Sequence, residues 1–147
     1  MAPTPTAPAR FNMSNVEVLL LDDNELGMSI LVQIVTGLGV RRLHRCTTED
    51  EAREVVATAN LDLAIVDALG AEGHGYRFVE WLRREGPEKV RYIPVLLTAS
   101  HTPAAHVEIF ARSGGDALVK KPIAPTTLLE RILWAARADR QFVVADD

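Results

Sequence analysis

Twice in this chain a short apolar run ends abruptly on acid, as VEVLLLDD at residues 16–23 and as LDLAIVD at residues 61–67. An aliphatic run without polar alternation is the pattern of a strand buried on both faces of a parallel sheet. Charge is costly to bury, so Asp22, Asp23 and Asp67 belong where those strands surface. In an open α/β sheet the carboxyl ends of the strands are where ligands bind. The same residues therefore speak for the fold and for a site.

The intervening segments carry helical spacing. Over residues 24–38, Ile30, Leu31, Ile34, Val35 and Leu38 fall on one helical face, and Gly37 and Gly39 punctuate its end. Residues 40–46 form a second strand whose apolar positions are broken by Arg41, Arg42, His44 and Arg45, as suits a sheet edge. Thr48 and Glu51 spell a capping box ahead of a helix ending near Ala59. After Asp67 comes a glycine-rich loop, 68–75, then a helix over 76–84 that offers Phe78, Val79, Trp81 and Leu82 for packing. Residues 93–97 form a fourth strand that runs into Thr98, with Pro94 tolerable only near its start. A helix over 103–112 leads to a brief strand at 117–119, which ends on Lys120, Lys121 and Pro122. Pro125 suits the first turn of a last helix, with Leu129, Ile132, Leu133 and Ala136 facing inward. Five strands alternating with five helices argue for a parallel sheet covered on both faces.

Size and charge narrow the function. A chain of 147 residues holds one domain with a sizeable core. Its net charge of −4, with no dense basic run, offers no electrostatic footprint for nucleic acid. Cys46 is the sole cysteine, which excludes an intrachain disulfide and suits a reducing cytoplasm. Residues 1–14 read as a disordered leader rather than a signal peptide, 15–138 as the folded domain and 139–147 as a short tail. No apolar run approaches the roughly 18 residues a membrane helix needs. The spacings of His44, His74, His101 and His106 match no helical ligand pair, though His74 lies on the loop after Asp67.

Five residues at the ends of four strands remain: Asp22 and Asp23, Asp67, Thr98 and Lys121. Alone, an acid pair is an ordinary turn or cap, and Asp67 an Asx-turn residue. Together they should converge on one edge of the sheet. Three gathered carboxylates repel one another and raise at least one pKa unless a cation joins them. Mg²⁺, a hard ion with oxygen ligands and positions left open for phosphate, is the economical choice. Lys121 would pair with an anion and Thr98 donate to it, which describes phosphoryl transfer to a carboxylate nucleophile.

At this point the sequence resembles the receiver domains of two-component response regulators, over residues 15–138. The matching segments are LLLDDNE, LAIVDALGAEGHG with Gly75 eight residues after the Asp, the Thr-Ala of VLLTAS, and the Lys-Pro of GGDALVKKP. The resemblance implies a flavodoxin-like fold with five parallel strands in the order 2-1-3-4-5. It implies Asp67 as phosphoacceptor, and Lys121 and Thr98 as holders of the phosphoryl oxygens. Mg²⁺ would be bound by Asp23 and Asp67 directly, by Asp22 through water and by the backbone carbonyl of Leu69. The donor would be a histidine kinase or histidine phosphotransfer protein, and the output, for want of DNA-binding or catalytic segments after the last helix, a downstream protein. The family often has a cis bond at the position of Lys121-Pro122.

Three departures stand out. Gly70-Ala71 replaces the usual Met-Pro after the phosphoacceptor, in a loop expected to be more mobile. Leu118 stands where many relatives carry a switch aromatic, so conformational coupling is expected to run differently. Leu69 and Ser100 stand at positions that, in the family the sequence resembles, tune phosphoryl lifetime, and an apolar Leu69 predicts slow autodephosphorylation. Two rivals are a receiver-like binding module that works without phosphorylation and a small phosphatase of the haloacid dehalogenase type. The second requires another Asp two residues after its nucleophile, where this chain has Asn24 or Glu25.

Overall fold

A computed structural model describes residues 13–69, 74–100, 104–135 and 143–144. In chain order the elements are β1 (Glu17–Leu21), α1 (Glu25–Gly37), β2 (Arg42–Cys46), α2 (Glu49–Thr58), β3 (Leu63–Asp67) and α3 (His74–Glu85). They continue with β4 (Val95–Ala99), α4 (Ala104–Ser113), β5 (Ala117–Lys120), α5 (Pro125–Ala135) and β6 (Val143–Val144). The sheet is parallel throughout, in the order β2-β1-β3-β4-β5-β6. The order 2-1-3-4-5 is as expected. To it the structure adds β6, two residues paired with Ala117 and Leu118, from the segment expected to be a short tail.

Side-chain alternation along the buried strands divides the core into two layers. Leu19, Leu21, Ala64, Val66 and Leu97 point to the side where Val56, Phe78, Val79 and Phe110 pack. Val18, Leu20, Leu63, Ile65 and Leu96 point to the other, against Leu31, Val35, Leu128 and Ile132. Because both faces are covered, the stretches 18–21, 63–66 and 95–97 of β1, β3 and β4 need to be apolar, which accounts for their unbroken runs. Arg42 and Arg45 of β2 are exposed at the sheet edge, where charge discourages pairing with other chains. Cys46 is buried at the end of β2, and that burial, helped by the charge of Glu51, pushes its thiol up to about 11. It is a packing residue.

Two expectations shift. Met13, within the stretch read as leader, is only 1 % exposed and sits in the second core layer. It packs in the same layer as Val18, Leu31 and Ile132, so packing begins before residue 15. The inward stripe of α1 is Met28, Leu31 and Val35, whereas Ile30 is 37 % exposed. Periodicity locates such a stripe but fixes its phase poorly where apolar residues crowd adjacent positions. On α5 the buried residues are Leu128, Leu129, Ile132 and Ala135; Ala136 lies outside the described residues, as do the 70–73 loop and the side chain of His74.

At the end of the sheet opposite the acidic residues, Arg83 ties three segments together. Its guanidinium donates to the carbonyls of Gly114, Arg91 and Ile93 at 2.9, 2.8 and 2.8 Å and to Asp116 Oδ2 at 3.1 Å. Asp116 Oδ2 also accepts from Val95 N at 2.7 Å, which sets the start of β4. Removing the guanidinium strands several half-buried acceptors at once. Arg83→Met is expected to lower stability by about 3 kcal/mol, read as a shifted urea midpoint at unchanged slope.

Candidate functional site

The strand order places the switch point between β1 and β3, and the site forms where those strands and β4 end. β1 runs into Asp22, whose backbone N–H still bonds Cys46 O of β2 at 3.1 Å. Its side chain is therefore carried at the tip of the sheet, yet it is buried. Both carboxylate oxygens are held, Oδ1 by Asn24 N at 2.9 Å and Oδ2 by Lys121 Nζ at 3.2 Å. Asp23, next in sequence, is exposed. Asn24 caps α1 by accepting from Gly27 N at 2.7 Å.

β3 delivers Asp67 in register with Thr98 of β4, so the two side chains leave the same face of the sheet. One oxygen from each of Asp22, Asp23 and Asp67 lies within 4.8 Å of the others. Lys121, fixed by the bond from its backbone N–H to Ala99 O at 2.8 Å, reaches Asp67 Oδ1 at 3.4 Å. The Lys121-Pro122 bond is cis, as expected. Thr98 is fully buried, and its Oγ1 has no hydrogen-bond partner among the described residues.

The electrostatics follow from this crowding. Burial pushes the Asp67 carboxyl above its ordinary value; Lys121 opposes the rise, while Asp22 and then Asp23 add to it. Repulsion alone is thus not the main cause, and the confined position at the end of β3 matters more. A cleft of about 480 Å³ opens over Asp67 and Lys121, walled by Asp23, Leu26, Ile30, Leu69 and Ser100. The all-oxygen, anionic donor set fits a hard divalent ion. The unpartnered hydroxyl and the ammonium fit the oxygens of an anion beside it.

The structure brings Asp22, Asp23, Asp67 and Lys121 together, sets Thr98 beside Asp67 on β4 and places Leu69 on the wall of the cleft. Four further residues shape the site. Asn24 couples the cap of α1 to Asp22 through its backbone. Leu26, 70 % exposed, and Ile30 give the mouth an apolar rim. Gly75 passes so close to β3 that a Cβ there would lie 1.9 Å from the Asp67 carbonyl oxygen. Its spacing from Asp67 was visible beforehand, but the reason for it was not.

Fold and site together define a flavodoxin-like α/β protein with an acidic, lysine-countered cleft at the switch point. The chain belongs to the response regulator receiver domain family, whose sequence model matches residues 18–133. It is 26% identical over 134 residues to the sensory/regulatory protein RpfC of Xanthomonas campestris, covering 90% of this chain and 18% of that protein. It is 25% identical over 117 residues to the transcriptional regulatory protein GltR of Pseudomonas aeruginosa, covering 78% and 46%. The chain thus spans less than half the length of either relative. In fold it is similar to the chemotaxis response regulator CheY4 of Vibrio cholerae, with a TM-score of 0.72 at 21% identity, covering 82% of this chain and 98% of that one. Receiver domains are signalling modules of two-component systems and bind Mg²⁺ at an acidic pocket. No helix among the described residues is long and apolar enough to cross a membrane.

The approach of Gly75 to backbone atoms leaves no flexible neighbour to give way. Gly75→Ala is expected to destabilise the fold by about 2 kcal/mol and to displace Asp67. Urea unfolding reads the first effect, and displaced backbone amide resonances of residues 67–69 read the second.

Proposed function

We propose that this chain is a Mg²⁺-dependent phosphoacceptor that takes a phosphoryl group on Asp67 from a histidine kinase or histidine phosphotransfer protein. The observation that carries this reading is the buried Thr98 hydroxyl beside Asp67, which has no hydrogen-bond partner among the described residues. An unsatisfied buried hydroxyl costs about 1–3 kcal/mol, and a phosphoryl oxygen on Asp67 would relieve that cost. Lys121, already 3.4 Å from Asp67 Oδ1, would turn to a second phosphoryl oxygen.

In this reading Asp67 supplies the attacking carboxylate oxygen. The Oδ–P bond forms as the P–N bond of the donor phosphohistidine breaks, and the imidazole leaves. Asp23 and Asp67 would hold Mg²⁺ together with the carbonyl of Leu69, and Asp22 would act through water. When bound, the ion neutralises charge developing on the transferred group. Asp22, with both oxygens engaged by Asn24 and Lys121, is suited to holding positions rather than to direct ligation. The apolar rim of Leu26 and Ile30 suits a protein donor, since covering it removes both side chains from water.

The signal then passes, in the cytoplasm, to a downstream protein by a population shift between two packings. Leu118, at the position of the family's switch aromatic, is fully buried among Leu97 and Phe110. An inward-packed aliphatic side chain leaves the shift to adjustments of that cluster rather than to rotation of an exposed ring. A binding module that works without phosphorylation remains the second reading, favoured by this same residue.

Incubation with acetyl phosphate and Mg²⁺ is expected to add the mass of one phosphoryl group, and Asp67→Asn to abolish the adduct. Absence of an adduct with acetyl phosphate and with phosphoramidate supports the second reading instead. Leu69, apolar and lining the cleft, would keep water from the acyl phosphate. Leu69→Asn is therefore expected to shorten the phosphoryl half-life several-fold, measured by loss of the adduct after donor removal; an unchanged half-life would contradict this role.

A further inference from the structure

α1 contains two glycines, and only one stands in crowded space. At Gly37 a Cβ would meet nothing within 4 Å. At Gly27 it would lie 2.6 Å from Asp22 Oδ2, 3.3 Å from Asp22 Cγ and 3.5 Å from Asn24 Oδ1. Glycine is a poor helix former, and the third position of a helix is one where Glu or Gln can complete a capping box. Local helix chemistry therefore does not call for Gly27. The reason for it lies across the gap, in Asp22.

Asp22 cannot step aside. It is buried, its Oδ1 is tied to Asn24 N, and its Oδ2, the atom nearest Gly27, is tied to Lys121 Nζ. A methyl group on Gly27 would have to displace the carboxylate toward Asp67 or prise the first turn of α1 off the sheet. Either movement disturbs the spacing of the three carboxylate oxygens, which now lie within 4.8 Å of one another. Gly27 also lies between the cleft over Asp67 and a smaller pocket of about 60 Å³ against Pro122 and Ile123. The first turn of α1 is thus the wall against which the site's innermost carboxylate is set.

We infer that Gly27 is a positioning residue for the divalent cation: its missing side chain lets Asp22 stand between α1 and Lys121, in register with Asp23 and Asp67. This rests on the phosphoacceptor reading and adds to it a residue outside the acidic set. It acts through Asp22, so its effect depends on that carboxylate being present.

The test is Mg²⁺ binding to the full chain by isothermal calorimetry, with Mn²⁺ binding by electron paramagnetic resonance as a second readout. Gly27→Ala is expected to raise the dissociation constant at least tenfold while the far-ultraviolet circular dichroism stays native. Gly37→Ala, the same change in the same helix, is expected to leave it within twofold. In an Asp22→Ala background, Gly27→Ala is expected to add no further loss. Equal affinity for wild type and Gly27→Ala overturns the inference, as do losses that simply add in the double variant. Should Gly27→Ala alone unfold, the Gly27→Ala/Asp22→Ala pair is expected to fold as stably as Asp22→Ala, because the crowding is gone; a double variant that stays unfolded overturns the inference. A wild-type chain that binds no Mg²⁺ and takes no phosphoryl group overturns the underlying reading itself.

Discussion

Three carboxylates and one ammonium share the tip of this sheet, and the balance among them is the constraint that the rest of the structure meets. Lys121 stands between Asp22 and Asp67, at 3.2 and 3.4 Å. One positive charge against three negative ones leaves the site short of cation in a half-buried place where water screens poorly. Burial is the first reason the Asp67 carboxyl stays above its ordinary value even with Lys121 beside it, and the neighbouring Asp22 and Asp23 add to the rise. In the proposed reading a divalent ion would supply the missing charge, and Thr98 and Lys121 would then hold an anionic group. Chemistry and strain have the same origin.

The fold sets this balance by denying the charges any other position. β1, β3 and β4 are apolar on both faces because helices cover both, so polar residues are pressed to the strand ends. The parallel arrangement puts all those ends on one side, and the order with β1 beside β3 brings Asp22 and Asp23 to Asp67. The opposite end of the sheet is closed by the Arg83 staple, which joins α3, the start of β4 and the approach to β5. Cross-links close that end, and the acidic cleft opens at the other.

Much of this could be read from the chain itself, for a physical reason. A strand buried on both faces leaves an unbroken apolar run, and the residue at which the run stops is the residue that reaches the site. LDLAIVD and VLLTAS therefore announce Asp67 and Thr98 directly. What stayed hidden depends on contacts distant in sequence. Ile30 shares helical spacing with Leu31 and Ile34, yet it lies at the cleft mouth because the first turn of α1 is set by Asn24 and by the fit of Gly27 against Asp22. Met13 carries no periodicity to mark it as core, and neither Arg83 nor β6 has a local pattern that names its partners. Glycines show the limit well: the spacing of Gly75 from Asp67 is legible, Gly27 carries no such mark, and both are required by a neighbour's atoms rather than by their own turn.

The central claim is that a cation and a phosphoryl group are received together at this one edge. It is tested most directly by following backbone amide shifts as Mg²⁺ and then beryllofluoride, a stable phosphoryl mimic, are added to the intact chain. The account predicts small Mg²⁺ shifts at residues 22–24 and 67–69. Larger beryllofluoride shifts should follow at Thr98, Ala99 and Lys121 and reach Leu118, only when Mg²⁺ is present. Beryllofluoride shifts that arise without Mg²⁺, or that leave Thr98 and Lys121 unmoved, would contradict it.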